Sequence, residues 1–173
     1  MDQDEASRLT SDVDATEHSV RVQRLVELAG VLPDSGMIGF SGQAAEWVFE
    51  DVKATWLYGC FTSTVLTAHA FCCVQLAGVI RLLPDAPEMP TEPDSLEHLA
   101  DLAARAAGLD IDTQARLVDL HDRYRAYSAA DLHEFERRLE RHVLETQAVT
   151  DEHPLLVDAR EALITSVRLL YRR

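Results

Sequence analysis

The side chains best suited to chemistry lie close together in one stretch of the sequence, DRYRAYSAADLHEFERRLERH, at residues 122–142. It holds five arginines and two histidines, in a chain that has 30 acidic and only 16 basic residues. Arginine can hold a phosphate or a carboxylate with two parallel hydrogen bonds, and histidine can take up a proton near neutral pH. The stretch therefore indicates either a site for an anionic ligand or the ion-paired flank of two helices.

The first half of this stretch predicts a surface for binding nucleic acid. Arg123 and Arg125 flank Tyr124, and Tyr127 follows two residues after Arg125. Tyrosine rings can stack on bases while arginines neutralise the phosphates. The alternative is core packing, because two leucines precede the tyrosines at the same helical spacing.

The second half of the stretch places three candidate residues, Arg137, Arg138 and His142, on one predicted helix. Arg138 precedes His142 by four residues and shares its side of the helix, whereas Arg137 is rotated from it by roughly 140°. The alternative is a solvated face of ion pairs, since acidic residues stand at helical spacing from these arginines. Each such pair contributes only a few tenths of a kcal/mol to helix stability.

No metal or cofactor site is predicted. Di-iron helical bundles use a Glu-x-x-His pair on each of two helices, and none of the seven histidines follows a glutamate at that spacing. His69 and Cys73 are weak candidates for a soft metal, because they are four residues apart and share one helix face. That face also carries small and apolar residues, so core packing with a hydrogen-bonded histidine is the alternative. The sequence contains neither a glycine-rich phosphate loop nor a Gly-x-Ser-x-Gly turn.

The charge of the chain bears on its partners. The formal net charge is −14, and residues 1–104 carry 17 acidic and 5 basic side chains against 13 and 11 in residues 105–173. A surface with this much negative charge repels phosphate backbones and favours a protein partner with a basic surface. RNA is therefore expected as a partner only if the C-terminal half forms a nuclease site. The three cysteines, two of them adjacent, fit a reducing cytoplasm.

One apolar segment raises the alternative of a membrane-associated helical protein. Residues 56–80 run for 25 positions without a formally charged side chain, which is long enough to cross a bilayer. The segment also contains hydroxyl, histidine and glutamine side chains, and the amphipathic helices around it need a core partner. We therefore expect a buried central helix, no membrane contact and a cytoplasmic protein.

Apolar residues recur at helical spacing along most of the chain, and no run alternates as a β-strand would. The sequence predicts an all-α, up-and-down bundle of about five to six helices. Residues 1–18 are predicted to be a disordered acidic tail, and residues 19–173 one domain with a proline-rich linker at 84–94. Gly108 is predicted to end one helix, and Asp94 and Asp112 to cap two others. The predicted helices cover residues 20–31, 43–83 as one helix kinked at Gly59 or as a pair, 96–107, 112–127, 128–146 and 155–171, with either Ser128 or Asp131 as the cap of the fifth.

The order of these features resembles the HEPN superfamily of helical bundles. An apolar helix, YGCFTSTVLTAHAFCCVQLAGVIRLL, is followed by LEHLADLAARAAGLDIDTQARLVDLHDRYRAYS and then by DAREALITSVRLLYRR, and the likeness covers residues 43–173. In that family an arginine, a polar residue and a histidine a few positions along form a metal-independent ribonuclease site. The histidine takes the proton of a ribose 2′-hydroxyl while the arginine holds the phosphate. Family members generally dimerise, so that two motifs face one cleft.

The resemblance implies one of two roles for this chain. The family's arginine falls on Arg123 and its histidine on Ser128, with a tyrosine where asparagine is usual, so this motif is degenerate. The first role is a non-catalytic binding or regulatory module, dimeric, in a toxin–antitoxin or phage-defence system. The second is a metal-independent ribonuclease with His142 as the base and Arg138 or Arg137 on the phosphate, because the motif spacing recurs there one helix later.

Overall fold

The computed structural model describes residues 3–32, 39–87, 96–128, 137, 140, 144 and 153–171, with side chains from Glu17 onwards. Every regular element in these ranges is an α-helix, which confirms the predicted all-α helical bundle. Arg137, Glu140 and Leu144 are also helical, and the rest of the predicted 128–146 helix lies outside the described residues. Within these ranges the helices are α1 (Gln3–Val31), α2 (Gln43–Leu57), α3 (Phe61–Arg81), α4 (Leu96–Ala107), α5 (Ile111–Tyr127) and α6 (Pro154–Leu170).

The central helix of the bundle is α3, which packs against α2, α4, α5 and α6. Many of its apolar side chains, such as Phe71 and Leu76, are fully buried because these helices surround them. The amide of Gln75 is buried as well. It accepts a hydrogen bond from the Ser41 N–H at 2.9 Å and donates one to the Gly39 carbonyl at 2.6 Å. Because a buried amide needs such partners, these bonds hold the segment before α2 against α3.

By length and composition, α3 is the one helix of the described residues that could cross a bilayer. Its packing against four neighbouring helices is that of a bundle's core helix. The uncharged segment of residues 56–80 is also not one continuous helix, because it includes the end of α2 and a tight turn before α3 begins.

The turn between α2 and α3 is formed by Tyr58, Gly59 and Cys60. Of the two alternatives predicted for residues 43–83, the structure has the pair of helices. Gly59 has φ +71°, a left-handed conformation that is costly for a residue with a Cβ atom. A Cβ atom there would also lie 2.5 Å from the guanidinium of Arg24 on α1. Glycine therefore allows both the sharp turn and the close approach of α1.

At the corner between α4 and α5, the bounds of α4 are as predicted, but the start and the cap of α5 are not. α4 spans Leu96–Ala107 and is followed by Gly108 at φ +65°. The N-cap of α5 is Asp110, whose carboxylate accepts a hydrogen bond from the Thr113 N–H at 2.8 Å. Asp110 has the extended backbone that an N-cap requires, with ψ 155°, whereas Asp112 already lies inside the first turn. The prediction that Asp112 caps this helix is therefore wrong.

The first helix begins at Gln3, so residues 3–18 are helical where the sequence predicts a disordered tail. The chain contains no proline or glycine before Gly30 that would interrupt a helix. An ion pair between Glu17 and Arg21, 2.7 Å apart, also joins neighbouring turns. The acidic composition of the segment is thus compatible with a helix.

The second half of α1 packs mainly against α2. Leu28 is buried in this contact. The Arg24 carbonyl accepts a hydrogen bond from the Trp56 indole N–H at 3.2 Å, and the Arg24 guanidinium donates to the Leu57 carbonyl at 3.3 Å. Arg24 therefore ties α1 to the C-terminal end of α2.

Two further predictions concern the linker and the last helix. Residues 84–87 of the proline-rich linker are non-helical, and the rest of the linker lies outside the described residues together with Asp94. The last helix, α6, starts one residue earlier than predicted, with Pro154 in its first turn and His153 at the N-cap position. Proline is favoured there because its missing N–H would have no partner within the helix.

Candidate functional site

A buried ion pair connects α5 to α6. Asp158 in the second turn of α6 is fully buried. The Arg123 guanidinium contacts one oxygen of its carboxylate, and the Tyr127 hydroxyl donates to the other. Arg123 and Tyr127 are four residues apart and therefore share one face of α5. Arg123 also donates from Nε to Asp119 at 2.9 Å, so its guanidinium has a buried and an exposed acidic partner.

The surroundings of Arg123 and Tyr127 keep each of these two side chains in one protonation state. Burial and the hydrogen bond to Asp158 raise the pKa of Tyr127 well above its ordinary value. Burial by itself would lower the pKa of Arg123, but the hydrogen bond to Asp119 and the negative charges of Asp119, Asp158 and Glu161 raise it. Tyr127 therefore stays a hydroxyl donor and Arg123 stays positively charged.

The four residues predicted to form a basic, tyrosine-lined binding surface do not share one surface. Arg123 and Tyr127 are bound to the buried carboxylate, and Tyr127 is only 5% exposed. Tyr124 packs against α3 instead, where its ring stacks on His69. Arg125 is exposed to solvent. These residues are neighbours in the sequence, but they differ in burial and in the groups that they contact.

A second group of polar side chains, the histidine cluster, lies between α3 and α5 and consists of His69, Cys73, His121 and Tyr124. The Nε2 atom of His69 is 3.1 Å from the Nδ1 atom of His121, a hydrogen-bonding distance. The rings of His69 and Tyr124 are stacked, with centroids 3.8 Å apart. On the other side of its ring, His69 Nδ1 lies 3.9 Å from the Cys73 Sγ atom. The half-buried imidazole is thus held at both nitrogens and on one face.

Burial determines the protonation state of the histidine cluster. Burial, and to a lesser degree electrostatic interaction with His121, lower the pKa of His69 from 6.5 to about 4, so the neutral imidazole of His69 prevails near neutral pH. Burial raises the pKa of the Cys73 thiol to about 11, which makes it a poor nucleophile at that pH. A neutral imidazole offers one donor and one acceptor nitrogen, which is what the two contacts of His69 require.

The weak metal candidates His69 and Cys73 are neighbours, but the cluster does not converge on one metal position. Cys73 approaches Nδ1 of the His69 ring and His121 approaches Nε2, so the two groups lie at different edges of the imidazole. Across the part of the chain that the structure describes, no three His, Cys, Asp or Glu side chains are grouped to hold a metal ion. The chemistry of the cluster is therefore hydrogen bonding between two helices.

Of the predicted ribonuclease residues, the structure describes only Arg137, which is helical and exposed. Arg138 and His142 lie outside the described residues. Their predicted roles therefore stay predictions.

Sequence reasoning missed two residues of these clusters, Asp158 and His121. Pro154 lies four residues before Asp158 and Ala162 four residues after it, and both are buried. Asp158 therefore lies on the buried side of α6. A carboxylate on an apolar stripe indicates a buried partner, and this pattern was available in the sequence. His121 precedes Tyr124 by three residues and so lies on the same side of α5, but nothing in the spacing names His69 as its neighbour.

Comparison with known proteins adds no assignment. No family model, no curated protein and no solved structure matches this chain. The inference of function therefore rests on the sequence resemblance, on the environment of Arg123 and on the net charge.

Proposed function

We propose that this protein is a non-catalytic, HEPN-like helical binding and regulatory module that works as a cytoplasmic homodimer in a toxin–antitoxin or phage-defence system. The observation that carries the proposal is the environment of Arg123, which stands where the family has its motif arginine. Its guanidinium is bound to the buried Asp158 and to Asp119. The family and the defence setting rest on the sequence resemblance alone.

Using Arg123 to hold a phosphate would require the guanidinium to leave Asp158. The carboxylate would then be buried without a positive partner, and breaking a buried ion pair in this way typically costs about 3–5 kcal/mol. Phosphate binding would have to offset that cost before it contributed any affinity. Arg123 is therefore better suited to holding α5 and α6 together than to binding RNA.

The residue at the position of the motif histidine also supports a non-catalytic role. Ser128 is exposed at the C-terminal end of α5. A serine hydroxyl is a very weak base at neutral pH and cannot take the proton of a ribose hydroxyl as a histidine can. This motif therefore supports binding or regulation rather than cleavage.

The expected partner is a protein with a basic surface. The net charge of −14 disfavours nucleic acid and favours encounter with a positively charged protein, such as a toxin whose RNA-binding surface this module would cover. Association driven by such charges weakens as salt screens them. We therefore expect a partner captured at low salt to be basic and to be released at high salt.

The decisive experiment is an RNA cleavage assay in EDTA with the purified full-length chain. We expect no cleavage above a buffer blank, because Arg123 is held by Asp158 and Ser128 replaces the motif histidine. The products of any cleavage are examined for 2′,3′-cyclic phosphate ends, which a metal-independent ribonuclease leaves.

Two histidine variants make the assay specific. His142→Ala removes the base of the ribonuclease alternative, and His133→Ala is the matched control in the same stretch of sequence. Cleavage that yields cyclic ends and is lost in His142→Ala but kept in His133→Ala would overturn the non-catalytic proposal and support the ribonuclease.

A further inference from the structure

We infer that the solvent-facing side of α2 binds an arginine-bearing segment of the basic protein partner, with Trp47 as the anchor of the contact. The inference rests on the partner proposed above and identifies the surface that binds it. The residues concerned are Glu46, Trp47, Glu50, Asp51 and Tyr58, which we call the α2 outer face. All five side chains are exposed.

Trp47 stands at the centre of the α2 outer face, directly opposite the core. The buried residues of α2 are Ala45, Phe49, Val52 and Trp56. They lie between about 140° and about 200° around the helix from Trp47. Trp47 is consequently 62% exposed. Tryptophan is enriched among the residues that contribute most to binding at protein interfaces, so its position indicates a contact with a partner.

Three carboxylates surround Trp47. Glu50 and Asp51 follow it by three and four residues, the spacing at which side chains are neighbours on a helix, and Glu46 precedes it directly. Glu50 pairs with Lys53 at 2.7 Å. Glu46 and Asp51 form no ion pair with another described residue. An aromatic ring among negative charges is complementary to a cation, and the same charges repel acidic partners.

The α2 outer face already binds one arginine from within the chain. The Arg21 guanidinium of α1 lies over the Tyr58 ring, 5.1 Å from the ring centroid, and it also pairs with Glu17 at 2.7 Å. An aromatic ring and a carboxylate therefore hold one guanidinium together. This contact within the chain shows the kind of group that the exposed rings of this face bind.

Trp47 offers the same combination of groups to an arginine from outside. Eleven residues separate it from Tyr58, so three helical turns, about 16 Å along the axis, place both rings on one side of α2. No cation of the described residues lies over the Trp47 ring. Arginine suits this position better than lysine, because its planar guanidinium stacks on a ring and still donates hydrogen bonds to carboxylates at its edge.

The probe for this surface is a fluorescein-labelled nona-arginine peptide, and its binding to the full-length chain is measured by fluorescence anisotropy at low salt. Nona-lysine has the same charge but no planar guanidinium, so we expect it to bind more weakly. Equal affinities for the two peptides would overturn the preference for arginine.

Variants of the α2 outer face locate the binding. Trp47→Ala should weaken the binding of nona-arginine about 5-fold or more, the effect of losing one cation–π contact, whereas Trp47→Phe keeps a ring and should lose about 2-fold. The Glu46→Gln, Asp51→Asn double variant removes two carboxylates beside the ring and should also weaken binding. Circular dichroism of each variant checks that the helices are retained.

The matched control is the Glu97→Gln, Asp101→Asn double variant, which removes two exposed carboxylates from α4, a helix that packs against α3 and α5. It should leave the affinity nearly unchanged. Equal losses in the two double variants, or wild-type affinity in Trp47→Ala, would overturn this surface without overturning the basic partner. A wild type that does not bind nona-arginine would overturn both, while the RNA assay would still test the non-catalytic role.

Sedimentation velocity of Trp47→Ala tests a second copy of the chain as the occupant of the α2 outer face. We expect this variant to have the oligomeric state of the wild type, because the face binds a different protein. A monomeric variant beside a dimeric wild type would mean that a second copy covers the face, and it would overturn the inference.

Discussion

At the scale of single residues, the Asp158 carboxylate is the fully buried charge in the contact between α5 and α6. Both of its partners, Arg123 and Tyr127, come from α5. A buried charge is tolerated only when opposite charge and hydrogen bonds compensate for the loss of water. Removing the carboxylate leaves the half-buried Arg123 guanidinium with only its exposed partner, Asp119, and leaves the buried Tyr127 hydroxyl without its acceptor.

We expect Asp158→Ala to lower the free energy of unfolding by about 3–5 kcal/mol, the range found when one member of a buried ion pair is removed. Urea denaturation followed by circular dichroism measures the change. Asp119→Ala is the matched control, because it removes the exposed partner of the same arginine and should cost less than about 1 kcal/mol. Equal losses in the two variants would contradict the importance of the buried pair.

The histidine cluster predicts a dependence of stability on pH. The pKa of His69 is about 4 in the folded protein against 6.5 for an unperturbed histidine, so the unfolded chain binds the proton more readily. Stability from this residue is complete above the unfolded pKa and decreases as pH falls from about 6.5 to about 4. We expect a loss on the order of 2 kcal/mol across this window.

Urea denaturation at several pH values between these limits tests the prediction. The slope should flatten in His69→Leu, which cannot take up a proton. His153→Gln is the control, since His153 is exposed, and it should keep the wild-type slope. An unchanged slope in His69→Leu would assign the acid sensitivity to other groups.

At the scale of elements, the corner between α4 and α5 depends on Gly108. Its φ of +65° is left-handed, and a Cβ atom would meet no other atom within 4 Å, so the cost of a substitution is conformational rather than steric. We expect Gly108→Ala to destabilise the protein by about 1–2 kcal/mol in thermal or urea unfolding.

Gly30 provides the comparison for Gly108, because it lies inside α1 and also has open space around its Cβ position. Alanine is a better helix former than glycine, so Gly30→Ala should stabilise the protein by up to about 1 kcal/mol. Destabilisation by both substitutions would show that space, rather than backbone conformation, limits these positions.

The same corner shows what the sequence can predict about elements. The bounds of α4 were predictable because an apolar period ends at a glycine, and both are properties of a single segment. The choice between Asp110 and Asp112 as the cap was not, because the two acids flank Ile111 and only the backbone conformation distinguishes them. The start of α1 differs from the prediction because the acidic composition of residues 1–18 indicates disorder, whereas the lack of helix-breaking residues there allows a helix.

The candidate site was less predictable than the helices, for a physical reason. Spacing places Tyr124 and Tyr127 on α5, but it does not reveal which neighbouring helix each one meets. The answer depends on contacts between residues far apart in the chain, such as His69 with His121 and Arg123 with Asp158. Such pairs arise from helix packing, which one sequence does not specify residue by residue.

At the scale of the whole molecule, the net charge and the apolar surface have opposite effects on the association of two copies. Each copy carries a net charge of −14, so two copies of the proposed dimer repel each other at low salt, while apolar contacts between them favour association. Salt screens the repulsion and does not weaken apolar contacts. We therefore expect the dissociation constant of the dimer, measured by sedimentation, to fall as salt is raised. A rise would mean that ion pairs between the copies hold the dimer together.

The hydrogen bond between the Trp56 indole and the Arg24 carbonyl makes the α1–α2 contact optically observable. Trp56 is fully buried, whereas Trp47, the second tryptophan, is 62% exposed. A Trp47→Phe variant therefore leaves one tryptophan, situated where α1 meets α2 and excited selectively over the tyrosines. Its emission would shift to longer wavelength if α1 separated from the bundle, so detachment of this helix can be timed in solution without any added label.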